Sequence, residues 1–352
     1  MPRILTVLSA LLLAAAAPLH AQDLPDEAEF QSRADAQDAD EALFYAKDFP
    51  VYRIATPEKG TVSPTSVIGE VQVHRIRKGD TLMDLARAYS LGYNEMVEAN
   101  PGIDPWVPPA GATIILPTSW VLPCCEYEGV IINIPEMRLF HFARDPDDPG
   151  TTRIQTYPVG LGRDDWRTPR GKFKISGKTV NPQWNIPESI RQEHIEERGD
   201  HRTFIPGGAP DNPLGKHRLE LTLPMYRIHG TNIPWGVGMQ VSHGCVRLYP
   251  EDIEHYFPTV RVGTPGEFAY QPVKIGIRNG IVWAEAQSDI YGYSPARYRE
   301  TRAEIQKLGI WHAVDEQLLI DGLTSARGLP FRISPGGRGA ELERFDLLPD
   351  ES

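Results

Sequence analysis

The sequence predicts a mainly β protein with a small strand–helix–helix–strand unit near its N-terminus and a mixed extension at its C-terminus. Three observations predict it. From Tyr127 to Gly276, short runs rich in Val, Ile, Thr and Tyr alternate with period two and are divided by Gly, Pro and Asn. From Val71 to Pro117, two helical patterns lie between two short alternating runs. After Gly276, a hairpin signal precedes two helical ones. With 352 residues, 41% of them hydrophobic and 24% charged, the chain is long enough for a sizeable core and has the composition of a globular protein.

Taken in order, residues 1–21 carry Arg3, the apolar run ILTVLSALLLAAAAP and a small-residue end at Ala21, which reads as a secretory signal peptide. The apolar run is shorter than the roughly 20 residues of a membrane span, so no transmembrane segment is expected in the mature chain. Residues 22–70 read as an acidic leader with one strand at FPVYRI. In residues 71–117, a strand at Val71 to Ile76 meets the turn formers Gly79 and Asp80. Thr81, three residues before Asp84, then caps a helix whose apolar positions are Leu82, Leu85, Ala86 and Tyr89. A second helix runs from Asn94 to Asn100 and stops at Pro101 and Gly102, and Thr113 to Leu116 closes the unit as a strand.

The β-rich domain spans residues 127–276. Within it, Asn181 to Leu219 is rich in Pro and Gly and lacks periodicity, and is expected to form a loop or lid over a groove. Residues 277–335 form the extension: Asn279 and Gly280 mark a hairpin turn in IGIRNGIVWAEAQ, and helices are expected over Ala296 to Leu308 and near Asp315 to Ile320. Residues 336–352 have little to bury and read as a flexible tail.

The formal net charge is −11, and no Lys/Arg block is interleaved with aromatics, which argues against a nucleic-acid partner. Of three cysteines, Cys124 and Cys125 are adjacent and Cys245 is distant. Adjacent Cα atoms lie about 3.8 Å apart, below the usual disulfide range, so a bridge between neighbours is strained. Cys245 is left either to pair with one of them or to stand as a free thiol.

The segment MYRIHGTNIPWGVGMQVSHGCVRLYPEDI decides which. It gathers His229, Ser242, His243, Cys245 and Arg247 within 19 residues, with glycines at 230, 236, 238 and 244. A thiol becomes an acyl acceptor when a base takes its proton and backbone donors stabilise the oxyanion. His243 is the candidate base, because a two-residue spacing puts it beside Cys245 on an extended segment. A thiolate–imidazolium pair is the expected resting or early reacting state, with no Asp or Glu nearby in sequence before Glu251 and Asp252 to orient the imidazole. The N–H groups of Gly244 and Cys245 are the natural oxyanion donors. Arg247 is placed to favour a thiolate or hold a substrate carboxylate, and His229 to contact substrate or support the loop. His229, His243 and Cys245 are also zinc-ligand types, but no HxxxH or CxxC spacing accompanies them, and no metal or other cofactor is expected.

Two resemblances follow from these residues. The KGDTL turn, the NEMVEANPGI stretch and the late ILP strand resemble a LysM module, a small fold that binds N-acetylglucosamine-containing glycans. The run HGTNIPWGVGMQVSHGCVRLYPEDI is similar to the active-site signature of the L,D-transpeptidase family with its YkuD-like catalytic domain. The upstream GLGRDDWRTPRGKFKISG, with Gly162, Thr168, Pro169, Gly171 and Phe173, is similar to the same family's earlier region. The resemblance implies a β-sandwich catalytic domain with Cys245 as nucleophile, His243 as base, and His229, Gly230, Ser242, Gly244 and Arg247 lining or shaping the site. It implies peptidoglycan as partner: the bond between meso-diaminopimelate and the terminal D-alanine of a tetrapeptide stem is cut, and the acyl group passes to an amine. That amine is a second stem, giving a 3-3 cross-link, or a lysine of an outer-membrane lipoprotein; water would give hydrolysis instead. A periplasmic, wall-associated location follows from the signal peptide and the resemblance together. A non-catalytic wall-binding protein is the alternative of another class. The LysM-like unit is expected to act as a tether that raises local substrate concentration, with its deletion lowering wall binding more than thiol reactivity.

Overall fold

The structure is a computed structural model that describes residues 47–124 and 126–335. The expected signal peptide, most of the acidic leader, Cys125 and the expected tail lie outside the described residues. The leader's one expected strand is present as β1, Tyr52–Ala55. Strand β2 (Val67–Gly69) and strand β3 (Gln72–Arg75) follow. Helix α1 (Leu82–Ala88) starts where the sequence places it, with the Asp84 N–H donating to Thr81 Oγ1 at 3.0 Å. Helix α2 covers Tyr93–Ala99. Strand β4 (Thr113–Leu116) returns antiparallel to β3, and β5 (Ser119–Val121) pairs with β2. Asn100, after α2, holds β4: its Oδ1 accepts from the Ile115 N–H at 2.7 Å and its Nδ2 donates to the Ile115 carbonyl at 2.8 Å.

The central sheet begins with β6 (Gly129–Asn133), β7 (Arg138–Arg144) and β8 (Thr151–Pro158), a meander whose outer edge is covered by β1. After the short β9 (Leu161–Gly162) comes β10 (Gly171–Val180), the longest strand. The Asn181 to Leu219 segment is not the irregular loop expected. It contains a two-stranded ribbon, β11 (Trp184–Asn185) with β12 (Phe204–Ile205), and helix α3 (Glu188–Arg198) between them. The helix hides from pattern reading because one position, Ile190, is buried. Ile190 packs with Ile186 and Ile205 in a small cluster of its own, and Gly199 at φ 66° closes the helix in the left-handed region.

Strands β13 (His217–Leu221), β14 (Arg227–His229), β15 (Gln240–Ser242) and β16 (Val246–Arg247) build the far end, followed by helix α4 (Pro250–Tyr256) and strand β17 (Pro265–Ala269). The large sheet has nine strands in the order β1-β8-β7-β6-β17-β10-β13-β14-β16. Strand β10 joins its halves: Gly171 to Lys174 pair with β17, and Ile175 to Val180 pair with β13, with an irregularity between Ile175 and Gly177. A bulge of this kind bends the strand and increases its twist where it passes from β17 to β13.

The extension holds β18 (Val273–Arg278), β19 (Ile281–Ala286), α5 (Arg297–Lys307), α6 (Glu316–Thr324) and β20 (Pro330–Arg332). The hairpin turns at Asn279 and Gly280, both at positive φ (54° and 75°), as Asn-Gly turns require. Asp315 caps α6 through its Oδ1, which accepts from the Gln317 N–H at 2.9 Å. The whole is a mixed α/β fold around a large β-sheet, with more helix than a mainly β reading anticipates.

The LysM-like unit is not a tethered module. Along β6, Val130 and Ile132 enter one core cluster with Leu139, Phe173 and Leu219, while Ile131 enters another with Leu82, Leu85, Leu91 and Met96 of the unit. The sheet is thus covered on both faces, which is why β6 reads as a continuous apolar run rather than an alternating one. Buried ion pairs fasten the unit: Arg87 of α1 donates to both carboxylate oxygens of Glu251 at 3.0 Å, and Arg138 of β7 grips Glu95 of α2 at 2.9 and 2.7 Å. A second buried cluster joins the extension to the sheet, where Lys274 meets Glu136 at 2.7 Å and Glu285 at 3.1 Å.

Candidate active site

Strand β14 runs parallel to β16, with Ile228 opposite Val246 and His229 opposite Arg247. Partnered positions in such a pair share a face, so His229 and Arg247 stand side by side. Cys245 is the residue just before β16, and its thiol is free. Cys124 is disulfide-bonded, so of the two fates open to Cys245 the structure shows the free one. The sulfur is partly buried, 3.7 Å from the Met225 carbonyl. Burial pushes its pKa up, against the opposing pull of the Arg227 N–H and the guanidinium groups of Arg227, Arg247 and Arg218.

The turn from β15 to β16 passes through Gly244 at φ 100°, where a Cβ would stand 2.9 Å from Tyr226 Cε1. Ser242, 1% exposed, ties this turn from inside. Its hydroxyl donates to the Cys245 carbonyl at 2.6 Å and accepts from the Gly244 N–H at 3.1 Å. The Gly244 N–H is therefore occupied, and of the two expected oxyanion donors Cys245 N–H is the one left to consider. On the other side of the turn, Thr168 Oγ1 donates to the Gly244 carbonyl at 3.1 Å and accepts from the Gly162 N–H at 3.1 Å.

The two histidines separate. The positive φ of Gly244 breaks the alternation that would set His243 beside Cys245, and the His243 ring instead lies edge-on to Trp166, centroids 5.2 Å apart. Its Nε2 donates to Glu193 Oε2 at 3.2 Å. Glu193 sits on α3, and no pattern in the sequence connects it to His243, 50 residues away. The nearer acids, Glu251 and Asp252, face elsewhere: Glu251 to Arg87, Asp252 to Lys47 at 2.7 Å. Burial lowers the His243 pKa, helped by Arg163 and opposed by Glu193.

His229 is 3% exposed, and its Nδ1 donates to the Gly230 carbonyl at 2.6 Å. A carbonyl only accepts, so Nδ1 carries the proton and Nε2 keeps its lone pair. Burial, then Arg247, pushes the His229 pKa down to about 3. The guanidiniums acting on His229 are those of Arg247, Arg218 and Arg227, the same three that act on the Cys245 thiol. Arg247 Nε is buried without a hydrogen-bond partner among the described residues. Among the described residues no group of three or more His, Cys, Asp or Glu side chains is placed to hold a metal ion.

Residues 128–275 match the model of the L,D-transpeptidase catalytic domain, and residues 74–117 that of the LysM domain. The Escherichia coli K12 protein "Probable L,D-transpeptidase YcfS" is 34% identical over 63% of this chain and 71% of its own length. "Probable L,D-transpeptidase YbiS" of the same strain is 32% identical over 76% of this chain and 89% of its own. The chain belongs to the L,D-transpeptidase family. A solved L,D-transpeptidase from Mycobacterium smegmatis aligns with 63% of this chain and all of that one, at 16% identity and a TM-score of 0.29. This L,D-transpeptidase is an enzyme of acyl-transfer chemistry on peptidoglycan, and its LysM-matching segment is the unit that covers one face of the catalytic sheet. No helix among its described residues is long and apolar enough to cross a membrane.

Proposed function

We propose that the enzyme cuts the bond between meso-diaminopimelate and the terminal D-alanine of a tetrapeptide stem and passes the acyl group to an amine, with Cys245 as nucleophile and His229 as base. The reading places it in the periplasm against the wall, with the second stem of a 3-3 cross-link or a lipoprotein lysine as acceptor. The observation that carries the base assignment is the tautomer of His229. With Nδ1–H committed to Gly230, Nε2 can only accept, and it shares its arginine neighbours with the thiol. His243, the base expected from spacing, is turned toward Glu193 and Trp166 instead.

The chemistry runs as two transfers. His229 Nε2 takes the thiol proton as Sγ bonds to the stem carbonyl carbon, and the Cys245 N–H meets the oxyanion. The tetrahedral centre collapses, D-alanine leaves with the proton from His229, and a thioester remains. An acceptor amine then attacks, gives its proton to His229, and the amide forms as Sγ leaves and is reprotonated. Arg247, whose Nε is buried without a hydrogen-bond partner among the described residues, is suited to a substrate carboxylate. The thioester keeps the acyl group activated between the two steps, so no nucleotide is needed.

Incubation with a defined disaccharide-tetrapeptide tests this. D-alanine and a 3-3 dimer are expected from the wild type, and His229→Gln should lose at least about a hundredfold in rate, the scale of general-base catalysis, while His243→Gln loses less. A larger loss in His243→Gln than in His229→Gln would move the base back to His243. D-alanine without dimer, even with a lipoprotein C-terminal peptide added, would assign hydrolysis.

A further inference from the structure

Tyr291 lies in the C-terminal extension, beyond the 128–275 segment matched to the catalytic domain, yet its phenol reaches the active-site turn. The side chain is 5% exposed. Its hydroxyl donates to the Gly162 carbonyl at 3.0 Å and accepts from the Thr168 N–H at 3.2 Å. Tyr270 stacks on its ring with centroids 6.1 Å apart, and the Arg167 guanidinium stands 4.9 Å from its centre. Thr168 is 2% exposed, and its hydroxyl donates to the Gly244 carbonyl while accepting from the Gly162 N–H, each at 3.1 Å. The crowding is tight: a Cβ on Gly162 would stand 2.9 Å from Gly244 Cα.

The Gly244 carbonyl and the Cys245 N–H belong to one peptide group. In a planar trans peptide they point in opposite directions, so whatever holds the carbonyl aims the N–H. Gly244 at φ 100° has no Cβ to resist rotation of that peptide. Ser242 holds the two flanking groups, the Gly244 N–H and the Cys245 carbonyl. Among the described residues, Thr168 is the side chain that holds the peptide between them, through the Gly244 carbonyl.

We propose that Thr168, fixed in turn by Tyr291, is a positioning residue that locks the Gly244–Cys245 peptide so that the Cys245 N–H is aimed at the developing oxyanion. The proposal rests on the reading of Cys245 as nucleophile. It gives the extension a part in catalysis: the chain beyond residue 275 supplies the hydroxyl that seats Thr168. An N–H aimed in advance needs no reorganisation when the oxyanion forms, and loss of one such donor lowers kcat by about a hundred- to a thousandfold.

Two reactions of the same sulfur separate positioning from mere stability. Acyl transfer from a disaccharide-tetrapeptide passes through an oxyanion; alkylation by iodoacetamide, a displacement at a saturated carbon, does not. Thr168→Val, which keeps the shape and removes the hydroxyl, should lower kcat for D-alanine release by about tenfold or more, with KM and alkylation rate within about twofold. Thr168→Ser should restore most of kcat, and Tyr291→Phe should lower it by a smaller factor. Tyr291→Phe also carries the test if Thr168→Val does not fold. Parallel loss of acylation and alkylation in the folded variants, or an unchanged kcat in Thr168→Val, would overturn the proposal. Failure of the underlying reading is separate: it would show as D-alanine release surviving in Cys245→Ala.

Discussion

At the residue scale, the Cys245 thiol and the His229 imidazole, the proposed base, are both driven toward neutrality. Burial raises the Cys245 pKa and pushes that of His229 down to about 3, because each charged form loses hydration in the pocket. The arginines favour a thiolate but disfavour an imidazolium, so they do not stabilise the pair as a pair. Under the proposed assignment, burial opposes a resting ion pair at both groups and favours a thiol that gives up its proton as it attacks. The sign has a direct readout. A thiol with raised pKa gains thiolate as pH rises, so alkylation by iodoacetamide should climb steadily from pH 6 to pH 9. A plateau of fast alkylation below neutrality, the mark of a preformed ion pair, would contradict this. The residues singled out in the sequence do come together in the chain's fold: His229 and Arg247 are partners in the β14–β16 pair, Cys245 precedes β16, and Ser242 ties the turn between β15 and β16. The different surroundings of the two histidines were not legible, because two-residue spacing implies a shared face only on an extended chain. Gly244, at φ 100°, is the residue that ends the extension. Glu193 could not be read at all, since its contact with His243 exists only once α3 folds back.

Among the elements, the helices of the LysM-like unit show which signals travel in a sequence. Thr81 and Asp84 announce α1 and Asn100 with Pro101 closes α2, because capping is local chemistry. Docking is not local. Arg87, Glu95 and Arg138 look like solvated charges in the sequence and are all buried in the structure. The N–H groups of Tyr93 and Asn94 donate to the carbonyls of Val237 and Gly238 at 3.2 Å, four residues ahead of Ser242, so the unit also touches the chain that leads into the catalytic turn. Removing residues 71–117 should therefore cost the fold and not only wall binding, which reverses the expectation of a passive tether. A single substitution measures the same coupling more cleanly. Arg87→Ala strands the buried Glu251 carboxylate, and breaking one side of a buried pair costs about 3–5 kcal/mol. Urea unfolding should show a drop on that scale, offset in part by Lys47, whose ammonium lies 3.6 Å from the same carboxylate. A change under about 1 kcal/mol, the worth of an exposed pair, would mean the interface is open to water.

For the molecule as a whole, three separately legible segments close around one turn. The catalytic sheet presents Cys245 and His229, the LysM-like unit backs the sheet and touches Val237 and Gly238, and the extension reaches in with Tyr291. Their distinct textures were readable, since alternation, helical spacing and hairpin signals change along the chain. Their mutual burial was not, because a pattern that reports period reports no partner. The acyl-enzyme is the state in which all of this converges, and intact-protein mass spectrometry sees it directly. Reduced enzyme mixed with a disaccharide-tetrapeptide and quenched in acid should gain the mass of the substrate minus D-alanine, mapped to Cys245 after digestion and absent from Cys245→Ala. An adduct on another residue, or D-alanine released by Cys245→Ala at the wild-type rate, would contradict the account.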